Sequence, residues 1–80
     1  MDRRISVEFT VEPFVDGAPG AHVTSAIAAV EALGISVEVG PFGSSFSVMP
    51  DQLGRALDVL AAAAYSHGAT HVNIDTQQDA

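Results

Sequence analysis

Ile5, Val7, Phe9 and Val11 alternate with Ser6, Glu8, Thr10 and Glu12. This strict period of two predicts a strand with one apolar face and one polar face. Pro13 has no N–H to donate and ends the ladder, and Asp16-Gly17 and Pro19-Gly20 are turn signals in the loop from Phe14 to Gly20. From Ala21 the period changes. Val23, Ala26, Ile27, Val30 and Leu33 recur at steps of three and four, as the buried stripe of a helix does, and Gly34 stands where a left-handed C-terminal cap belongs.

Alternation returns at Ile35, Val37 and Val39 against Ser36, Glu38 and Gly40, predicting a second strand. Gly40-Pro41-Phe42-Gly43 forms the turn into a third strand, Ser44 to Val48. Pro50 suits the first turn of a second helix, in which Leu53, Leu57, Leu60, Ala61 and Ala64 keep helical spacing until His67-Gly68. Gly54 costs this helix about 1 kcal/mol relative to alanine, and close backbone approach to the sheet is the expected reason. The last strand, Thr70 to Thr76, directs Val72 and Ile74 inward and His71, Asn73 and Asp75 outward.

Two strand–helix–strand halves joined by a hairpin predict a single α+β domain over residues 1–80. The expected form is the ferredoxin-like βαββαβ arrangement, with four antiparallel strands and both helices on one face. The other face would carry Ser6, Glu8, Thr10, Glu12, Ser36, Glu38, His71, Asn73 and Asp75, and a monomer leaves it bare.

Composition sharpens this picture. The apolar fraction of 48% suits a folded chain, but 80 residues bury only roughly 60–65% of the surface the unfolded form exposes. With no cysteine available for a disulfide or a thiolate metal site, self-association is the expected supplement to the small core. Ten carboxylates against three arginines give a formal charge of -7, which repels phosphate backbones. An open sheet face without aromatic or basic positions also lacks what nucleic-acid binders of this architecture use. The longest apolar run, Val59 to Tyr65, falls far short of the ~20 residues that span a bilayer, so no membrane partner and a cytoplasmic location are expected.

Glu8, Glu12, Glu38 and Asp75 either form a solvated face or balance a cationic ligand. His71, Asn73 and Asp75 share a face at steps of about 6.6 Å, wide for one small metal ion, and Gly68 breaks the helical spacing between His67 and His71, while His22 stands alone. No metal or catalytic site is expected. No serine sits in a nucleophile motif, and no glycine-rich loop is followed by lysine. Arg3, Arg4 and Arg55 lie outside the expected turns, which argues against an acylphosphatase-like site.

At Glu12-Pro13-Phe14, Gly40-Pro41-Phe42-Gly43-Ser44 and Val72-Asn73-Ile74-Asp75, the chain resembles the small thiamine-binding proteins of the YkoF type, and the likeness extends over residues 4–77. The resemblance implies the ferredoxin-like fold and non-catalytic binding of thiamine or its hydroxymethylpyrimidine portion. It also implies homodimers or homotetramers built edge to edge and through open sheet faces. The ligand residues it implies are Thr10 and Glu12 on the first strand, Ser44 and Ser45 after the hairpin, and Asn73 and Asp75 on the last strand. Phe42 or Phe46 offers a ring on which a different aromatic heterocycle would stack, with core packing the expected role of Phe46. The alternative is an ACT-like regulatory or oligomerisation module that does not bind thiamine.

Overall fold

The first alternating segment becomes the central strand of the sheet. In the computed structural model, which describes residues 3–14, 20–41 and 43–79, the order of elements is β1 (Ile5–Glu12), α1 (Ala21–Glu31), β2 (Glu38–Val39), β3 (Ser44–Val48), α2 (Pro50–Ser66) and β4 (His71–Gln78). The strands form one antiparallel sheet in the order β2-β3-β1-β4. This is the ferredoxin-like βαββαβ arrangement. The turn signals at Asp16-Gly17 and Pro19, and the Phe42 ring, lie outside the described residues.

β1 is paired along both edges. Ile5 faces Val48 and Phe9 faces Ser44 on one side, while Ile5 faces Gln78 and Glu12 faces His71 on the other. Because side chains alternate across a strand, this register places Val7, Phe9 and Val11 on the helix side beside Phe46 and Val48, and all five are buried. Phe9 and Phe46 meet in a tilted pair with ring centroids 5.9 Å apart, so the Phe46 ring belongs to the core.

Above them, Ala26 and Val30 of α1 and Ala56, Leu60 and Ala64 of α2 are fully buried in the same cluster. The buried alanines let the two helices approach closely over the sheet, but of the run Ala61–Ala64 only Ala64 is buried, and Ala62 is exposed. Gly54 has a different status from the one its sequence suggests. It is exposed, and a Cβ built on it would meet nothing within 4 Å, so no close approach explains it. Gly34, at φ +84°, ends the first helical segment in the left-handed region that glycine favours. α2 begins with Pro50 in its first turn, and the Met49 N–H donates to Gln52 Oε1 at 3.0 Å.

His22, alone in the sequence pattern, is buried at the start of α1. Its Nε2 lies 2.6 Å from the Pro13 carbonyl oxygen, and as the N–H donor it ties the helix to the end of β1. Gly20 lies against the ring so closely that a Cβ there would come within 2.7 Å of His22 Cε1.

Two strands depart from expectation. β2 pairs only at Glu38 and Val39, and Val39 is 68% exposed, although Ile35 before it is buried. β4 begins and ends later than expected, at His71 and Gln78; Val72 is half-buried and Ile74 is 37% exposed. Val39 and Ile74 do lie on the helix side, in register with Ser44 and Phe9. They belong to the outermost strands, where the helix layer no longer covers the sheet.

The two contrasting glycines yield opposite outcomes in urea unfolding. Gly54→Ala is expected to stabilise the protein by about 0.5–1 kcal/mol, because it adds helix propensity in open space. Gly20→Ala is expected to destabilise it by about 1–3 kcal/mol, because the His22 ring can move aside only by giving up its bond to Pro13.

Candidate functional site

The same register that fills the core determines the uncovered face. Glu38 of β2 lies opposite Ser45 of β3, Ser45 opposite Glu8 of β1, and Glu8 opposite Asp75 of β4. Four strands thus contribute one row with three carboxylates in it. Neighbouring positions in such a row are about 5 Å apart, and Glu8 and Asp75 are immediate neighbours of like charge. Each is an exposed side chain. Toward the end of β1 the next open-face pair is Thr10 with Asn73, and beyond it Glu12 with His71.

The hairpin between β2 and β3 rises at one end of this row. The Gly40 N–H donates to the Gly43 carbonyl at 2.7 Å, closing the turn, and a Cβ on Gly43 would lie 3.2 Å from the Phe9 carbonyl oxygen and 3.3 Å from Thr10 Cγ2. Glycine at position 43 therefore lets the hairpin backbone sit directly against β1. The result is an open depression of about 570 Å³, with Glu8, Glu38, Ser45, Thr10, Asn73 and Asp75 among its lining and Gly40, Pro41 and Gly43 at its rim. Its volume falls in the range of small-molecule sites. Carboxylates for a positive charge and neutral hydrogen-bonding groups for a polar ring stand side by side in it.

Of the residues the resemblance implies, Thr10, Ser45, Asn73 and Asp75 come together on this open face. Ser44 and Ser45 cannot both point there. Ser44 also borders the depression, but it is buried, in register with Phe9 on the helix side, whereas Ser45 stands in the acidic row. Glu12 is outside the lining, and its Oε2 accepts from Asn73 Nδ2 at 3.1 Å, fixing the amide from the adjoining row. Glu8 and Glu38, outside the implied set, are central to the lining; their positions on the polar phase of two strands were the signal for them. Among the described residues no group of three or more histidines or carboxylates is arranged to hold a metal ion.

No family model matches the chain, and no curated protein matches its sequence. Solved structures do match its fold. A domain of unknown function, DUF77, from Bacillus cereus superposes with a TM-score of 0.69 at 21% identity, over 99% of this chain and 77% of that one. A Streptococcus pneumoniae protein gives 0.70 at 23% identity, over 96% and 86% of the two chains. A Thermotoga maritima protein provisionally assigned to thiamine biosynthesis or salvage gives 0.68 at 22% identity, over 96% and 83%. At these identities the likeness is one of fold.

If the acidic row is held together against its own repulsion, removing one member should relieve the sheet. Glu8→Gln is expected to raise stability by about 0.2–1 kcal/mol at low ionic strength, and the gain should shrink in 0.5 M salt as screening weakens the Glu8–Asp75 repulsion. Urea unfolding at the two salt concentrations checks this.

Proposed function

We propose that this chain is a non-catalytic binding protein for thiamine or its hydroxymethylpyrimidine portion, working in the cytoplasm as a homo-oligomer. The observation that carries this reading is the row Glu38–Ser45–Glu8–Asp75 along an open depression whose other polar residues, Thr10, Ser44 and Asn73, are neutral. Thiamine joins a permanently cationic thiazolium to an aminopyrimidine. The first matches a set of carboxylates, and the second matches hydroxyl and amide groups that both donate and accept. A chain of formal charge -7 also attracts such a cation at range.

Further support comes from the fold likeness, since one of the similar structures is a protein provisionally linked to thiamine biosynthesis or salvage. For the cytoplasmic part, no helix among the described residues is long and apolar enough to cross a membrane. For assembly, β4 is an outermost strand eight residues long, and its outer edge carries backbone groups open to a further strand. That edge is also what favours the second reading, an ACT-like oligomerisation module whose open face serves assembly.

Calorimetric titration with thiamine and with hydroxymethylpyrimidine, beside a light-scattering mass, tests the proposal. Saturable heat is expected for both. Thiamine binding should weaken with salt and fall about fivefold in Glu8→Gln, the loss of roughly 1 kcal/mol of attraction between charges near a surface, while the uncharged pyrimidine should respond little. A folded oligomer that gives no heat, and whose melting temperature saturating thiamine leaves unmoved, would overturn the thiamine reading in favour of the assembly module.

A further inference from the structure

The open face is not uniformly acidic. Beyond the row of Glu8 and Ser45, the next open-face positions are Ser6 and Ser47, which face each other in register. Ser6 Oγ donates to Asp79 Oδ1 at 2.7 Å, while Ser47 is reached by Arg4, one of three arginines in the chain. Its Nε donates to Ser47 Oγ at 2.9 Å and its Nη2 to the Ser47 carbonyl at 3.0 Å. Two of the five guanidinium N–H groups are used in this way and three remain. The single ion pair among the described residues is elsewhere, between Arg55 and Asp58 on α2. This guanidinium is held in place by neutral oxygens of β3 and takes part in no ion pair among the described residues, although Asp79 is its neighbour, with a backbone N–H that donates to the Arg4 carbonyl at 2.9 Å.

Arg4, Ser6, Ser45 and Ser47 line a second depression of about 570 Å³, and Glu8, Glu38 and Ser45 border both this one and the first. The two therefore join into one trough, whose second half reaches past the open face to Gly34, Ile35 and Gln52. One half is anionic. The other presents a planar cation with the Ser45 and Ser47 hydroxyls near it, donors suited to a phosphate or carboxylate, while the Ser6 hydroxyl is taken by Asp79. The Ser6–Ser47 pair and the Glu8–Ser45 pair are two residues apart along β1, a separation of about 7 Å.

From this juxtaposition we infer that the trough takes a dipolar ligand, with its cationic centre over Glu38, Glu8 and Asp75 and an anionic tail on the Arg4 guanidinium. The inference rests on the thiamine reading for its cationic half and adds a specificity that this reading lacks. The preferred ligand would be a cationic heterocycle whose short arm ends in a phosphate ester, rather than one whose arm ends in a free hydroxyl. Arg4 acts as a binding residue for the tail. It should have no part in affinity for the unphosphorylated compound.

The test compares thiamine with thiamine monophosphate by calorimetry on the wild-type chain and on Arg4→Gln and Arg4→Lys. The monophosphate is expected to bind about tenfold more tightly than thiamine to the wild type. Arg4→Gln should bring the two to within about twofold of each other while leaving thiamine affinity unchanged, and Arg4→Lys, which keeps the charge but loses the planar fork, should retain part of the preference. Ser47→Ala, which frees the guanidinium from its hydroxyl acceptor, should reduce the preference without removing it, and it provides a second readout if Arg4→Gln lowers the melting temperature. A wild type that binds the monophosphate no more tightly than thiamine, or a preference that survives Arg4→Gln, would overturn the inference while leaving thiamine binding intact. If neither compound binds, the inference and the functional reading both fall.

Discussion

Everything in this molecule depends on the register of β1. It is paired along both edges, with β3 and with β4, so the phase of its alternation is imposed on both neighbours. Val7, Phe9 and Val11 form the floor on which both helices pack. A slip by one residue would exchange that floor for Ser6, Glu8 and Thr10 and place a carboxylate in the core, at a cost of several kcal/mol. The burial that holds the fold together is thus also what holds Glu8 and Thr10 out on the open side.

That open side is organised in a way that packing does not require. A sheet face turned to water is free to mix charges, and opposite charges in facing positions would stabilise it. Here Glu8 faces Asp75 directly, with Glu38 two strands away, while Arg4 is bound to serine oxygens instead of to one of these acids. At the Arg4 end a further carboxylate, Asp79, is likewise held by a hydroxyl, that of Ser6. Such an arrangement leaves the Glu8–Asp75 repulsion unrelieved and gives up some stability.

The helix layer sets the limits of the site in a second way. Ala26, Ala56 and Ala64 draw α1 and α2 together over the middle of the sheet, so the cover is narrow. The outermost strands are left thinly protected, which is why Val39 and Ile74, both on the helix side, remain accessible. The hairpin beyond β2 is held by close backbone contact at Gly43, where a side chain would press on β1. A rim built of backbone and a floor built of strand residues make the depression shallow and open.

Period and punctuation were enough to specify the elements, their order and the polar face of β1, because alternation in steps of two and recurrence in steps of three and four are local consequences of strand and helix geometry. Glu8, Thr10, Asn73 and Asp75 were therefore legible as outward positions of their strands. Which strand lies beside which residue was not legible, since pairing is a contact between distant segments. Only the tertiary structure separated Ser44 from Ser45, aligned Glu38 with Glu8 and Asp75, and set Glu12 to hold Asn73. Burial at the edges, as at Ile74, depended on how far the helices reach. His22 took its role from Pro13, and Arg4 took its role from Ser47, a residue far away in sequence that no local pattern connects to it.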